Sequence, residues 1–169
     1  MHKILIAIIL CGAAQIVQAQ EPRLNGTWKL NLSKSYMAGE HPSQNYGLTW
    51  VIEQNSSRVV LVEKSTNPSF ANIRVPDTET RSEIVPDGVE SEVMRAGNMP
   101  GAKPSSAVIK AEWQGSTLLI TERGAAWGGP ALTLRRIFVS NDGAQLCELL
   151  EVHSPMLDAE ERLVFERVK

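Results

Sequence analysis

LNGTWKLNLSKS, residues Leu24–Ser35, decides the fold. A glycine stands two places before a tryptophan, and apolar and polar residues then alternate: Trp28, Leu30 and Leu32 on one side, Lys29, Asn31 and Ser33 on the other. A repeat of two puts successive side chains on opposite faces of an extended chain, so the stretch predicts a β-strand with one apolar face. Gly26 lets the backbone bend tightly beside the bulky indole that follows.

The same pattern recurs along the chain. Strands are expected over Gly26–Leu32, Leu48–Gln54, Arg58–Lys64, Thr78–Val85, Val89–Met94, Ala107–Trp113, Ser116–Glu122, Ala131–Ser140, Ala144–His153 and Arg162–Val168. Asn55-Ser56-Ser57, Pro86-Asp87-Gly88, Gln114-Gly115 and Asn141-Asp142-Gly143 supply the positive-φ residues that tight hairpins demand. Leu48, Trp50 and Ile52 share one face, as do Ile109, Ala111 and Trp113. The fold class is therefore all-β, an antiparallel up-and-down meander of about eight to ten strands. Such a meander settles its edges by closing into a barrel or by folding into two stacked sheets. Longer segments, Lys34–Tyr46, Asn67–Pro76, Arg95–Pro104, Gly124–Pro130 and Ser154–Glu161, read as loops, where binding function usually resides.

The 17 basic and 19 acidic residues are scattered and leave a net charge of −2, which gives no electrostatic footprint for nucleic acid. Residues 1–19 read as a secretory signal peptide: Met1-His2-Lys3 is a basic start, Ile4–Ala14 an apolar run, and Val17 and Ala19 suit cleavage after Ala19. The run falls short of the ~20 residues that span a bilayer, so no stable membrane anchor is expected. Residues 20–169 are left as a single exported domain, periplasmic or secreted. Cys11 departs with the signal, and Cys147, alone among apolar neighbours in AQLCELLEV, reads as a packing residue.

Gly26-Thr27-Trp28 on the first strand of an exported up-and-down chain resembles the glycine-x-tryptophan signature of the lipocalins and the wider calycin group. NGTWKLNLSKS, RRIFVSNDGAQL and the terminal FERV resemble a set of small exported bacterial proteins of lipocalin-like type. The resemblance implies a barrel whose closed end is plugged by Trp28, with Arg167 of the last strand packed across the indole. Such a stack contributes about 1 to 2 kcal/mol when desolvated.

An apolar lining with a few placed polar groups is what small-molecule sites share. Trp50, Trp113 and Phe138 are the expected lining. Arg136 shares the alternating face of Leu132, Leu134 and Phe138 and is the candidate polar anchor for an anionic head group; the competing reading places it outside or at the rim, snorkelling. Arg135 then faces solvent. Trp127, in the Gly-rich RGAAWGGPAL, can lie as a lid over a cavity mouth or pack on the rim. His41 and His153 form no metal-ligand spacing, no nucleophile motif or phosphate-cradling loop is present, and Asp158–Glu161 read as solvated charge in a turn. No metal and no cofactor are expected. The leading reading is an exported lipocalin-like binding protein for a small, largely apolar ligand. The alternatives are a protein-interaction or envelope-maintenance module with a filled barrel, and a barrel enzyme with acid–base chemistry.

Overall fold

The computed structural model describes residues 23–37, 46–66, 76–95, 103–126 and 129–169. The expected signal peptide and Trp127 lie outside them, as does His41.

Ten strands follow one another: β1 Gly26–Leu30, β2 Gly47–Gln54, β3 Val59–Thr66, β4 Thr78–Ile84, β5 Asp87–Arg95, β6 Ser105–Gln114, β7 Thr117–Ala126, β8 Gly129–Val139, β9 Gln145–His153 and β10 Asp158–Arg167. They form one antiparallel sheet in the order β4-β3-β2-β1-β10-β9-β8-β7-β6-β5. The class is the all-β, up-and-down one that period-two patterning predicts. Strands β4 and β5, the two edges, do not pair, although only Val85 and Pro86 separate them in sequence. Three peptide steps span at most ~11 Å, so the two edges are held together at one corner. The sheet must therefore curl on itself, and it becomes a half-barrel left open between β4 and β5.

Alternating connections sort the two ends of the half-barrel. The junctions Gln54–Val59, Ile84–Asp87, Gln114–Thr117 and Val139–Gln145 lie at one end, and Gly88, Gly115 and Gly143 take positive φ in or beside three of them. The connections after β1, β3, β5, β7 and β9 lie at the other, the first three of them the longest in the chain. The core gathers towards the hairpin end: Leu24, Trp28, Trp50, Ile52, Val59, Ile84, Leu118, Ile137, Leu146 and Phe165 form one buried cluster from nine strands and the residues before β1, with Ala111 on β6.

Several segments depart from expectation, the first strand among them: it ends at Leu30, and Leu32–Lys34 form a 3-10 turn. Asp158–Glu161 open β10 rather than forming a solvated turn, because each pairs with β9, and Glu161 is half-buried opposite Leu150. Arg95 closes β5 instead of starting a loop, and β7 and β8 run on through Gly124–Ala126 and from Gly129, shortening the Gly-rich loop.

Candidate functional site

At the hairpin end the curled sheet is plugged. The Trp28 indole is fully buried and donates its Nε1–H to the Leu24 carbonyl at 2.8 Å. The Arg167 guanidinium lies over the ring with Cζ 4.3 Å from its centroid, and Nη1 donates to the Asn25 carbonyl at 3.1 Å. Gly26, at φ 140, is needed there: an added Cβ would stand 3.0 Å from Arg167 Nη1. Trp113 packs half-buried against the same end of the core, in register with Leu118.

Moving from that plug towards the loop end, the inner face changes from apolar to charged. Register fixes the faces, because a strand's phase follows its buried neighbours. Ile137 sits between Leu118 of β7 and Glu148 of β9, all three buried, so the inward residues of β8 are Thr133, Arg135, Ile137 and Val139. Arg136 and Phe138 therefore point outward, and this corrects their expected lining role. Arg136 pairs with Glu151 on the outer face, and Phe138 lies opposite the half-buried Cys147. The outer face of β8 and β9 is itself half-covered, through Leu132, Leu134, Phe138 and Leu149, which is why composition alone favours the wrong face. Burial pushes the Cys147 thiol up, with Arg162 pulling the other way.

Arg135 is the inward cation. Its Nε donates to Glu148 at 2.5 Å, and its Cζ stands 5.8 Å from the centroid of the Trp50 ring. Trp50 stacks on Phe165 at 4.3 Å and donates Nε1–H to Glu63 at 2.9 Å. With Phe165 on it and Arg135 above it, the indole is fully buried, so it supports the wall without touching the interior space. Nearer the loop end Arg95 of β5 reaches Glu122 of β7 with two parallel bonds, Nε–Oε1 at 2.9 Å and Nη2–Oε2 at 2.6 Å. Tyr46, entering β2, packs against the core, and its phenol is held above its ordinary value by burial first, then by Glu63 and Glu161. It stays a neutral donor at physiological pH.

These groups have one signal in common that sequence could have supplied. Glu63 follows Val59 and Leu61 at period two, Glu122 follows Leu118 and Ile120, and Glu148 lies between Leu146 and Leu150. A carboxylate on the apolar phase of a strand must meet a partner inside, since burying a charge alone is costly.

The wall is not sealed. Although inward-facing, the side chains of Arg95, Glu122 and Arg135 keep 46%, 27% and 29% of their surface exposed, whereas Glu148 beneath them keeps 3%. Two grooves lie elsewhere: one of about 510 Å³ between Arg123, Pro130, Leu132, His153 and Pro155, another of about 780 Å³ between Lys29, Thr49, Thr66 and Glu166 that reaches Leu32 and Tyr46 at the margin of the core. His153 Nδ1 lies 3.1 Å from Asp158 at the first, exposed to solvent.

No protein-family model matches the chain, and no curated protein matches it. Among solved structures, zebrafish ileal bile acid-binding protein complexed with cholic acid is similar at 15% identity over 85% of this chain and 98% of its own, with a TM-score of 0.49.

Proposed function

We propose that this is an exported binding protein that holds a small, largely apolar molecule on the concave face of its half-barrel. The polar end of the ligand lies against Arg95, Glu122, Arg135 and Tyr46, and its apolar body is directed towards the plugged end. The observation that carries the reading is the solvent access kept by inward-facing Arg95, Glu122 and Arg135 above an apolar floor. Charged side chains on an inner wall, tied in place by partners yet still accessible, are the few oriented polar groups such a site needs.

The charge balance of that wall selects the head group. Among the described residues of that wall, Arg95 and Arg135 are each matched by a carboxylate of their own, Glu122 and Glu148. With both guanidiniums already matched by carboxylates, a neutral hydroxyl or an amine is preferred to a carboxylate, in contrast to the anionic head group that an unmatched inward arginine would favour.

Displacement of 1-anilinonaphthalene-8-sulfonate tests this. Saturable probe uptake, displaced by dodecanol or dodecylamine more effectively than by dodecanoate at neutral pH, is expected. Absence of uptake refutes the binding reading, and preference for dodecanoate refutes the head-group assignment. Export rests on residues 1–19, and N-terminal sequencing of the protein from a periplasmic extract should begin at Gln20.

A further inference from the structure

Among the described residues the sheet ends in two edges, and they differ in what they offer another strand. On β5 the outward positions are Glu90, Glu92 and Met94, and the two like charges guard that edge in the usual way. On β4 the outward positions read Glu79, Arg81 and Glu83, alternating in sign. Glu79 is paired to Lys64 at 3.1 Å and Glu83 to Arg58 at 3.2 Å, both on the β3 side. Arg81 stands between them, exposed, opposite Val62 of β3, and takes part in no ion pair among the described residues. The alternate positions Thr78, Thr80 and Ser82 are small and suited to a strand, with both threonines exposed. Among the described residues strand β4 is hydrogen-bonded on one side only, to β3.

We propose that β4 pairs antiparallel with β4 of a second copy of this chain about a two-fold axis, joining the two half-barrels into one continuous sheet. A two-fold strand pair must read the same from both sides, and this strand's charges allow it. With the axis at Thr80, Arg81 of each copy lies opposite Glu79 of the other; with the axis at Ser82, Arg81 lies opposite Glu83. Either register makes two reciprocal ion pairs, and the glutamate concerned keeps its own cation on β3. Cross-strand pairs of opposite charge favour the ladder, while like charges directly opposite oppose it. Pairing β4 with β5 of another copy sets Glu79 or Glu83 against Glu90 or Glu92, so the head-to-tail arrangement that would polymerise is disfavoured. The closed dimer is the arrangement that remains.

Sedimentation equilibrium of the purified protein, Arg81→Glu, the Glu79→Arg/Glu83→Arg double variant, and an equimolar mixture of the two variants tests the pairing. The wild type should reach twice the monomer mass at high protein concentration, each variant alone should remain at the monomer mass, and the mixture should recover the doubled mass. A monomeric wild type, a dimer that Arg81→Glu leaves intact, or a monomeric mixture of variants with wild-type far-UV spectra overturns the proposal. Hydrogen exchange on the wild type alone gives a second readout: protection of the β4 amides should rise with protein concentration, and protection that does not change with concentration overturns the proposal equally.

Discussion

Replacing Arg135 with alanine tests the inner wall by its energetics. In the native protein Glu148 keeps 3% of its side-chain surface exposed and Arg135 keeps 29%. Removing one partner of a buried pair costs about 3 to 5 kcal/mol when the other is left uncompensated. Arg135→Ala strands a carboxylate that solvent barely reaches, so its cost belongs near the lower part of that range, about 3 to 4 kcal/mol. Glu148→Ala strands a guanidinium that already meets water, and the loss falls to the lower part of the about 1.5 to 3 kcal/mol of a charged hydrogen bond. The double variant removes the stranded charge and should therefore be more stable than Arg135→Ala alone. Urea unfolding followed by far-UV circular dichroism measures all three. For a chain of this size the larger loss corresponds to a fall in Tm of roughly 10 °C. Equal costs for the two single variants, or a double variant less stable than Arg135→Ala, would refute the assignment of Glu148 as the buried member and Arg135 as the accessible one.

Other perturbations reach other parts of the account. Gly26→Ala places a Cβ 3.0 Å from Arg167 Nη1 at a φ that L-residues rarely adopt, so a loss of about 1 to 3 kcal/mol is expected by thermal unfolding; a neutral effect would show that the plug is not tight. The carboxyls of Glu112, Asp142 and Glu166 are held below their ordinary values, by hydrogen bonds from Lys110, Ser140 and Lys34 respectively. A carboxylate depressed in the folded state contributes stability above its unfolded value, and that contribution is lost as pH falls through the folded one. Tm should fall below about pH 4, with a smaller fall in Glu166→Gln, and a rise in Tm on acidification would contradict it. Because burial holds the Cys147 thiol up, iodoacetamide at pH 8 should label the native protein more slowly than the urea-unfolded one; equal rates would contradict the placement.

The strands were legible because their signals are local. Period-two alternation and the turns at Asn55–Ser57, Gln114-Gly115 and Asn141–Gly143 do not depend on what lies across the sheet, and each of the ten expected strands overlaps an observed one. The phase of β8 was not legible, because both its faces are partly apolar and its register is set by Leu118 and Glu148 on neighbouring strands. Choosing Leu132, Leu134 and Phe138 as the inner set exchanged Arg135 for Arg136. Ends of strands failed for a related reason: Asp158–Glu161 carry three acidic residues yet are held in β10 by their partners on β9. The ion pairs Arg95–Glu122 and Arg135–Glu148 join residues 27 and 13 positions apart, so no local motif announces them.

The central claim is that a ligand lies on the concave face, above the Trp28 plug, and not in either of the two grooves. Backbone chemical-shift mapping by NMR during titration with dodecanol tests it most directly. Shifts concentrated at Arg95, Glu122, Thr133 and Arg135 are predicted. Shifts concentrated at Pro130, Leu132, His153 and Pro155, or at Lys29, Thr49 and Glu166, would contradict it.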